Sequence, residues 1–404
     1  MSTVGERERL TQERVVAYFR DALKYRYLGD WEHREGNSNV EEELLAAWLT
    51  RRGYSEKIVG KVLHELGKAK AVGGNKTLYD ANREVYGLLR YGVKVRPDVG
   101  EQHITVWLID WDHPEKNDFA VAEEVTIAGE NSKRPDIVLY VNGIALCVLE
   151  LKRSIVSVSE GIRQNLDNQK KIFIRPFFST VQLVMAGNET EGLRYGVIET
   201  PEKYYLHWKE ADAPPAAGEN PLLRELFQLC RKDRLLEIVH DFIVFDAGTK
   251  KTCRHNQYFG VKAAQERVKR REGGIIWHTQ GSGKSLIMVW LAKWIREHVP
   301  AARVLLVTDR TELDDQIEKV FLGVSEGIYR TKSGADLVRV LNTETEWLVC
   351  SLIHKFGRGD DLSDADLQMY IEEIKSHLPK GFSPRGEFFV FVDECHRTQS
   401  GKLH

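Results

Sequence analysis

Glu150 and Lys152, in the string "ELKRS" at 150–154, follow directly on the apolar run "GIALCVL" at 143–149. Side chains alternate along a strand, so the acid and the base point to one face while Leu151 turns to the other. A second apolar run, "DIVLYV" at 136–141, is joined to the first by Asn142-Gly143, a strong two-residue hairpin signal. Pairing across that turn puts Asp136 beside the end of the second strand, near Glu150 and Lys152. Two carboxylates can hold a hard divalent cation such as Mg²⁺ through oxygen. An ammonium next to them can meet charge developing on a phosphate. The set therefore suits phosphodiester hydrolysis. An isolated E-x-K is most often an ion pair at a strand end, and only the D-(x13)-E-x-K spacing lifts the hydrolytic alternative to equal standing with it.

A second set lies further along. "HTQGSGKS" at 278–285 follows the apolar "GIIW" and opens the helical stretch "LIMVWLAKWIREH". A glycine-rich turn between strand and helix aims backbone N–H groups at an anion. Gly281, Ser282 and Gly283 would form the cradle, Lys284 would reach the outer phosphates of ATP, and Ser285 would ligate its Mg²⁺. The acidic partner is expected at the end of another apolar strand, and "FFVFVDECH" at 388–396 supplies it. There Asp393 would hold Mg²⁺ through water and Glu394 would orient the attacking water.

These strings resemble known patterns. Pro135-Asp136 with Glu150-x-Lys152 resembles the PD-(D/E)xK nuclease motif, and "RPDIVLYVNGIALCVLELKRS" is similar to the nuclease domain of the R (HsdR-type) subunit of type I restriction endonucleases. That family continues with Q-x-x-x-Y on the next helix. The matching positions here are Gln164 and Asn168, so the glutamine is present, to position DNA or the metal-bound site, and the tyrosine is replaced. The loop resembles the G-x-G-K-[ST] form of superfamily 2 helicases, with histidine at 278, and "DECH" is similar to a DEAH-type box. The resemblance implies that His396 links nucleotide state to DNA movement, that Gln257 reads adenine, and that Arg310 in "VTDRTELDDQI" touches the DNA backbone. "NREVYGLLRYGVKV" at 82–95 also looks like this family, and Glu84 within it is the candidate for a supporting helix glutamate.

The order of the two motif sets implies a restriction subunit that uses ATP to translocate double-stranded DNA and Mg²⁺ to cut it away from the recognised site. It would work in a complex with methyltransferase (M) and specificity (S) subunits. The sequence ends at His404, soon after the acidic box. A second RecA-like lobe is therefore expected to be missing, and the isolated chain is expected to bind ATP weakly without translocating. Two other functions fit the residues: a non-catalytic module that occupies the methyltransferase core, and an ATP-independent nuclease.

The elements that must position these residues follow from periodicity. Helical spacing runs through "VVAYFRDAL" (15–23), "NVEEELLAAWLTRRG" (39–53, Asn39 as cap) and "SEKIVGKVLHELG" (55–67, Ser55 as cap). Short strands follow at 103–111, 119–127, 136–141, 144–151 and 181–187, with a helix at 158–172 between the last two. "HWKEADAPPAAGENP" (207–221) reads as a linker. Continuous apolar runs at 274–279, 303–309, 347–353 and 388–394, separated by helical stretches, predict a parallel α/β sheet. The expected organisation is a helical region at 1–75, a PD-(D/E)xK-like domain at 76–235 and a first RecA-like ATPase lobe at 236–404.

Bulk properties agree with this scheme. A formal net charge of −2 confines any nucleic-acid surface to a local patch. Residues 250–272, with eight Lys or Arg against two Glu, are the candidate patch, or else a solvated helix face. Five scattered cysteines with no CxxC pair argue against a disulfide framework or a zinc site. The polar N-terminus and the lack of a long apolar run point to a cytoplasmic protein without a membrane span.

Overall fold

The computed structural model describes residues 3–210, 218–279, 281–308, 318–322, 327–342, 346–352, 385–393 and a few positions between 369 and 382. The chain divides into two units, Met1–His255 and Asn256–His404, and both mix helices with strands. In order, the first contains α1 (Thr3–Asp21), β1 (Arg26–Asp30), α2 (Glu42–Arg51), α3 (Glu56–Lys70), α4 (Leu78–Tyr91), β2 (Val93–Val95) and β3 (Ile104–Val106). Then come β4 (Phe119–Glu123), β5 (Ile137–Val141), β6 (Ile144–Leu151), α5 (Val158–Asn168), β7 (Leu183–Asn188) and β8 (Gly192–Gly196). It closes with α6 (Pro221–Cys230), α7 (Lys232–Asp241), β9 (Ile243–Asp246) and β10 (Thr249–Thr252).

Six strands form one mixed sheet in the order β1-β4-β5-β6-β7-β8. The hairpin expected at Asn142-Gly143 is there: both residues take positive φ, 53° and 82°, as a type I′ turn requires. Asn142 is locked by its side chain, which donates to Leu108 O and Asn117 Oδ1 and accepts from the Asp118 N–H. Gly143 is also needed for space, because a Cβ there would lie 2.8 Å from Glu41 O, Leu44 Cβ and Leu45 N at the start of α2. Ile137 pairs with Leu149, which sets Asp136 against Glu150 one step outward. β5 and β6 are buried along their whole length. One face packs Val138, Tyr140, Val148 and Val184 against Trp31, Phe177 and Phe178.

Helix ends depart from the sequence expectation where side chains found other partners. The N-cap of α2 is Glu41, not Asn39. The Asn39 amide is buried and donates to Pro176 O, Phe177 O and Ser179 Oγ at 3.0–3.1 Å. Ser55 holds the cap position of α3 without a capping bond, whereas α4 has a full capping box between Thr77 and Asp80.

The unit boundary falls after His255, some twenty residues beyond the expected one near 236, because the β9–β10 hairpin is anchored in the first unit. Lys250 of β10 is 3% exposed. Its Nζ donates to Asn82 Oδ1 and Gln182 Oε1 at 2.7 Å and to Val181 O at 3.3 Å. Burial pushes its pKa well below the usual lysine range. Lys250→Met keeps the aliphatic stem but orphans two buried acceptors, and is expected to lower unfolding free energy by about 3 kcal/mol. Urea denaturation would read this, and a loss under about 1 kcal/mol would mean that the ammonium is not an anchor.

In the second unit α8 (His255–Lys269) and α9 (Lys284–His298) precede β11 (Ala302–Thr308), β12 (Tyr329–Arg330), α10 (Gly334–Leu341), β13 (Leu348–Leu352) and β14 (Glu387–Val392). The four strands are parallel, in the order β12-β13-β11-β14. Arg303 on β11 is buried and ties the sheet together by donating to Glu346 O, Leu341 O, Arg385 O and Val340 O at 2.7–3.0 Å. The strand expected at 274–279 does not form, and Ile275 and Trp277 are 70% and 83% exposed. Apolar content alone cannot make a strand, since its backbone groups need a ladder partner, and among the described residues none pairs there. No helix among the described residues is long and apolar enough to cross a membrane.

Candidate active site

In the first unit, Asp136, Glu150, Lys152, Gln164 and Asn168 meet at the end of β6. Glu150, the penultimate residue of β6, is fully buried despite its charge. Asp136 Oδ2 accepts from the Leu151 N–H at 2.6 Å, which pins the first acid to the backbone beside the second. Lys152 continues from β6, its N–H on Gly187 O at 2.9 Å and its ammonium on Leu151 O at 2.9 Å. α5 crosses close above, at Gly161, where a Cβ would stand 3.1 Å from Ala186 Cβ and 3.5 Å from Glu150 O. From this helix Gln164 Nε2 donates to Glu150 Oε2 at 2.6 Å and Asn168 Nδ2 to Oε1 at 3.1 Å. Residues four apart share one helix face, so the pair grips both carboxylate oxygens.

Burial holds the Glu150 carboxyl well above the usual carboxylate range, and the neighbouring Asp136 charge raises it further against the opposing pull of Lys152. Asn168 Oδ1 is buried with no partner. Two acids forced together, neutral oxygens around them and one orphaned acceptor fit a hard divalent cation that keeps waters of its own. Among the described residues no group of three or more His, Cys, Asp or Glu is placed to hold a metal, so Asp136 and Glu150 would be the protein's charged ligands.

Asn168 was legible in the sequence only as a missing tyrosine, and its grip on Glu150 was not; the one-turn spacing from Gln164 was the available signal. Glu84 is exposed on α4 and pairs with Lys76, and none of its bonds reaches the cluster. The residues of the basic run 250–272 differ in their surroundings. Lys250 is buried, Lys251 pairs with Asp246, and Arg267, Lys269 and Arg270 pair with Glu266 or Glu272.

In the second unit Gly281 and Gly283 take φ of 75° and 83°, and Gly283 is the left-handed N-cap of α9, whose first residues are Lys284 and Ser285. Loop N–H groups and the helix N-terminus form an anion cradle. Gln257 on α8 is buried, and its Nε2 donates to Ser282 O at 2.9 Å and Gly283 O at 3.2 Å. The glutamine expected at adenine thus touches the phosphate loop itself, and a Cβ at Gly283 would stand 2.4 Å from that nitrogen. Among the described residues, the buried Ser282 Oγ has no partner. Burial and the Lys284 charge lower the His278 pKa. Asp393 follows β14, buried, with its N–H on Val307 O at 3.0 Å. Arg310, Glu394 and His396 lie outside the described residues.

Known proteins divide the chain in the same way. Residues 5–203 match the family "Type I restriction enzyme R protein N terminus" and residues 256–404 match "SWI2/SNF2 ATPase". The putative type I restriction enzyme MjaIXP endonuclease subunit of Methanocaldococcus jannaschii is 28% identical over 359 residues, covering 79% of this chain and 32% of the relative. The type I restriction enzyme HindI endonuclease subunit of Haemophilus influenzae is 28% identical over 356 residues, covering 80% and 32%. The SauMRSORF196P endonuclease subunit of Staphylococcus aureus is 23% identical, covering 87% and 36%. The chain thus spans about a third of the length of these curated relatives. One chain thus carries a match to the type I restriction enzyme R protein N-terminal family and, after it, a match to the SWI2/SNF2 ATPase family.

Proposed function

We propose that the first unit is a PD-(D/E)xK-type nuclease that cuts double-stranded DNA with Mg²⁺. The second unit, on this proposal, is the first RecA-like lobe of a superfamily 2 motor that binds ATP. Together they form part of a restriction subunit that translocates DNA and cleaves it within a complex with M and S subunits. The observation that carries this is Asp136 set against the buried Glu150, which Gln164 and Asn168 hold, beside Lys152.

Each residue then has a task. Asp136 and Glu150 hold the cation, which when bound supplies charge neutralisation at the scissile phosphate and a more acidic water. Lys152 brings positive charge to the same strand end, where charge develops on the phosphate. Gln164 and Asn168 fix the Glu150 rotamer. In the second unit Gly281, Ser282, Gly283 and Lys284 hold the triphosphate of ATP, and Ser285 and Asp393 are the residues for its Mg²⁺. Glu394 orients the attacking water. Gln257 sets the loop, and His396 and Arg310 serve coupling to DNA.

The test of the nuclease is conversion of supercoiled circular DNA to nicked or linear forms by the purified chain. Cleavage is expected with Mg²⁺, absent with a chelator, and lost in Lys152→Ala; cleavage that survives Lys152→Ala sinks the proposal. For the second unit, Lys284→Ala is expected to weaken ATP binding roughly 10- to 100-fold, the worth of a hydrogen bond to a charged group. Fluorescent nucleotide titration measures it, and an unchanged Kd would remove ATP from the proposal.

A further inference from the structure

The hydroxyl of Tyr205 is buried and, among the described residues, has no hydrogen-bond partner. Its ring packs with Leu166 on Val158 and Ile162 of α5 and on Ala186 of β7, and Ala186 is the residue paired with Glu150 in the sheet. The Glu150 charge reaches this phenol and, after burial, pushes its pKa up. The segment is fixed in place: Arg163 of α5 donates to both oxygens of Glu202 at 2.9 and 3.1 Å, and the Tyr205 N–H donates to Glu202 O at 3.1 Å. A buried hydroxyl without a partner is destabilising where phenylalanine would fill the same space. A second orphan, Asn168 Oδ1, belongs to the side chain that grips Glu150. Both orphans lie on or against α5, the helix that grips Glu150, and a buried polar atom left without a partner calls for an explanation.

We propose that Tyr205 is a positioning residue of the nuclease centre, its phenol ordering the surroundings of Glu150 from outside α5. The proposal rests on the nuclease reading above. Its test is Tyr205→Phe in the full 404-residue chain, followed by two readouts: the Mg²⁺ concentration for half-maximal DNA cleavage, and the rise in melting temperature on adding Mg²⁺. Loss of a hydroxyl from the surroundings of the cation site is expected to raise the half-saturating Mg²⁺ by roughly 10-fold and to shift the thermal titration with it. The metal-free melting temperature should be unchanged or higher. If Tyr205 only packs, Tyr205→Phe would leave both Mg²⁺ titrations in place, which overturns the proposal. Asp136→Asn run alongside separates the two claims. If the wild type neither cleaves nor responds to Mg²⁺, the nuclease reading fails and Tyr205 with it. If the wild type responds, Asp136→Asn does not, and Tyr205→Phe matches the wild type, only the Tyr205 proposal falls.

Discussion

Asp136→Asn is expected to lower Mg²⁺-dependent DNA cleavage on the order of 10³-fold while leaving the metal-free protein as stable as before or more so. The two effects come from one cause. The Asp136 charge lies against a buried Glu150 whose ionisation it opposes, so in the absence of a cation the pair is a liability to folding. Asparagine retains an oxygen to accept the Leu151 N–H, the bond that Asp136 Oδ2 makes at 2.6 Å, and removes the like charge. The same change takes away one of two charged ligands, and an electrostatic contribution aimed at the reacting phosphate is commonly worth 10²- to 10³-fold or more in rate. Gel assay of plasmid cleavage and thermal denaturation on one preparation give both readings. Wild-type cleavage by Asp136→Asn would exclude the pair as the catalytic centre. Lost cleavage together with a lower melting temperature would mean that the acid is structural.

The second large effect is on pH. Burial first, and then the Asp136 charge, hold the Glu150 carboxyl well above its ordinary range. The folded protein therefore keeps this proton at a pH where the unfolded chain has lost it. The contribution of Glu150 to stability is fully present below the unfolded carboxyl pKa and is lost as pH rises toward the folded one. Cation binding needs the ionised acid, so it must release the proton. Mg²⁺ affinity is expected to climb by up to about tenfold per pH unit until Glu150 ionises unaided. Calorimetry in buffers of different ionisation enthalpy would count the released proton, and affinity independent of pH would show that Glu150 is already ionised. Glu150→Gln should abolish Mg²⁺ binding and flatten the pH dependence of metal-free stability. The bond to Gln164 can persist, and Asn168 can turn its orphaned Oδ1 toward the new amide.

What the sequence made legible was local. The Asn142-Gly143 turn is set by its own two residues, so a hairpin that brings Asp136 near Glu150 could be read locally, but not the register shift between Leu139 and Tyr140 that sets Asp136 opposite Glu150 instead of Leu149. The phosphate loop was legible for the same reason, since a few consecutive residues set its glycine dihedrals. Long-range partners escaped. The apolar content of 274–279 predicted a strand, but a strand exists only with a neighbour. Lys250 looked like one more charge in a basic run, and only the folded chain brings Asn82 and Gln182 to it. Asn39 had the residue type of a helix cap and spent its amide on the 176–179 turn instead. Gln257 and the loop carbonyls it holds are twenty-five and twenty-six residues apart, too far for any helical or strand period to link them. Tyr205 carried no signal, because an aromatic after a short turn is ordinary until its hydroxyl is found without a partner.

The hairpin also has a consequence in time. A two-residue turn closes in about 1–10 μs, while the parallel β6–β7 pair must wait for the crossover through α5. Asp136 and Glu150 are thus brought side by side early, while water still surrounds them and their repulsion is weak. The costly step, sealing Glu150 from solvent, is deferred until Gln164 and Asn168 arrive with the helix. Until α5 packs over β6, Glu150 stays open to solvent and free to exchange a proton or a cation.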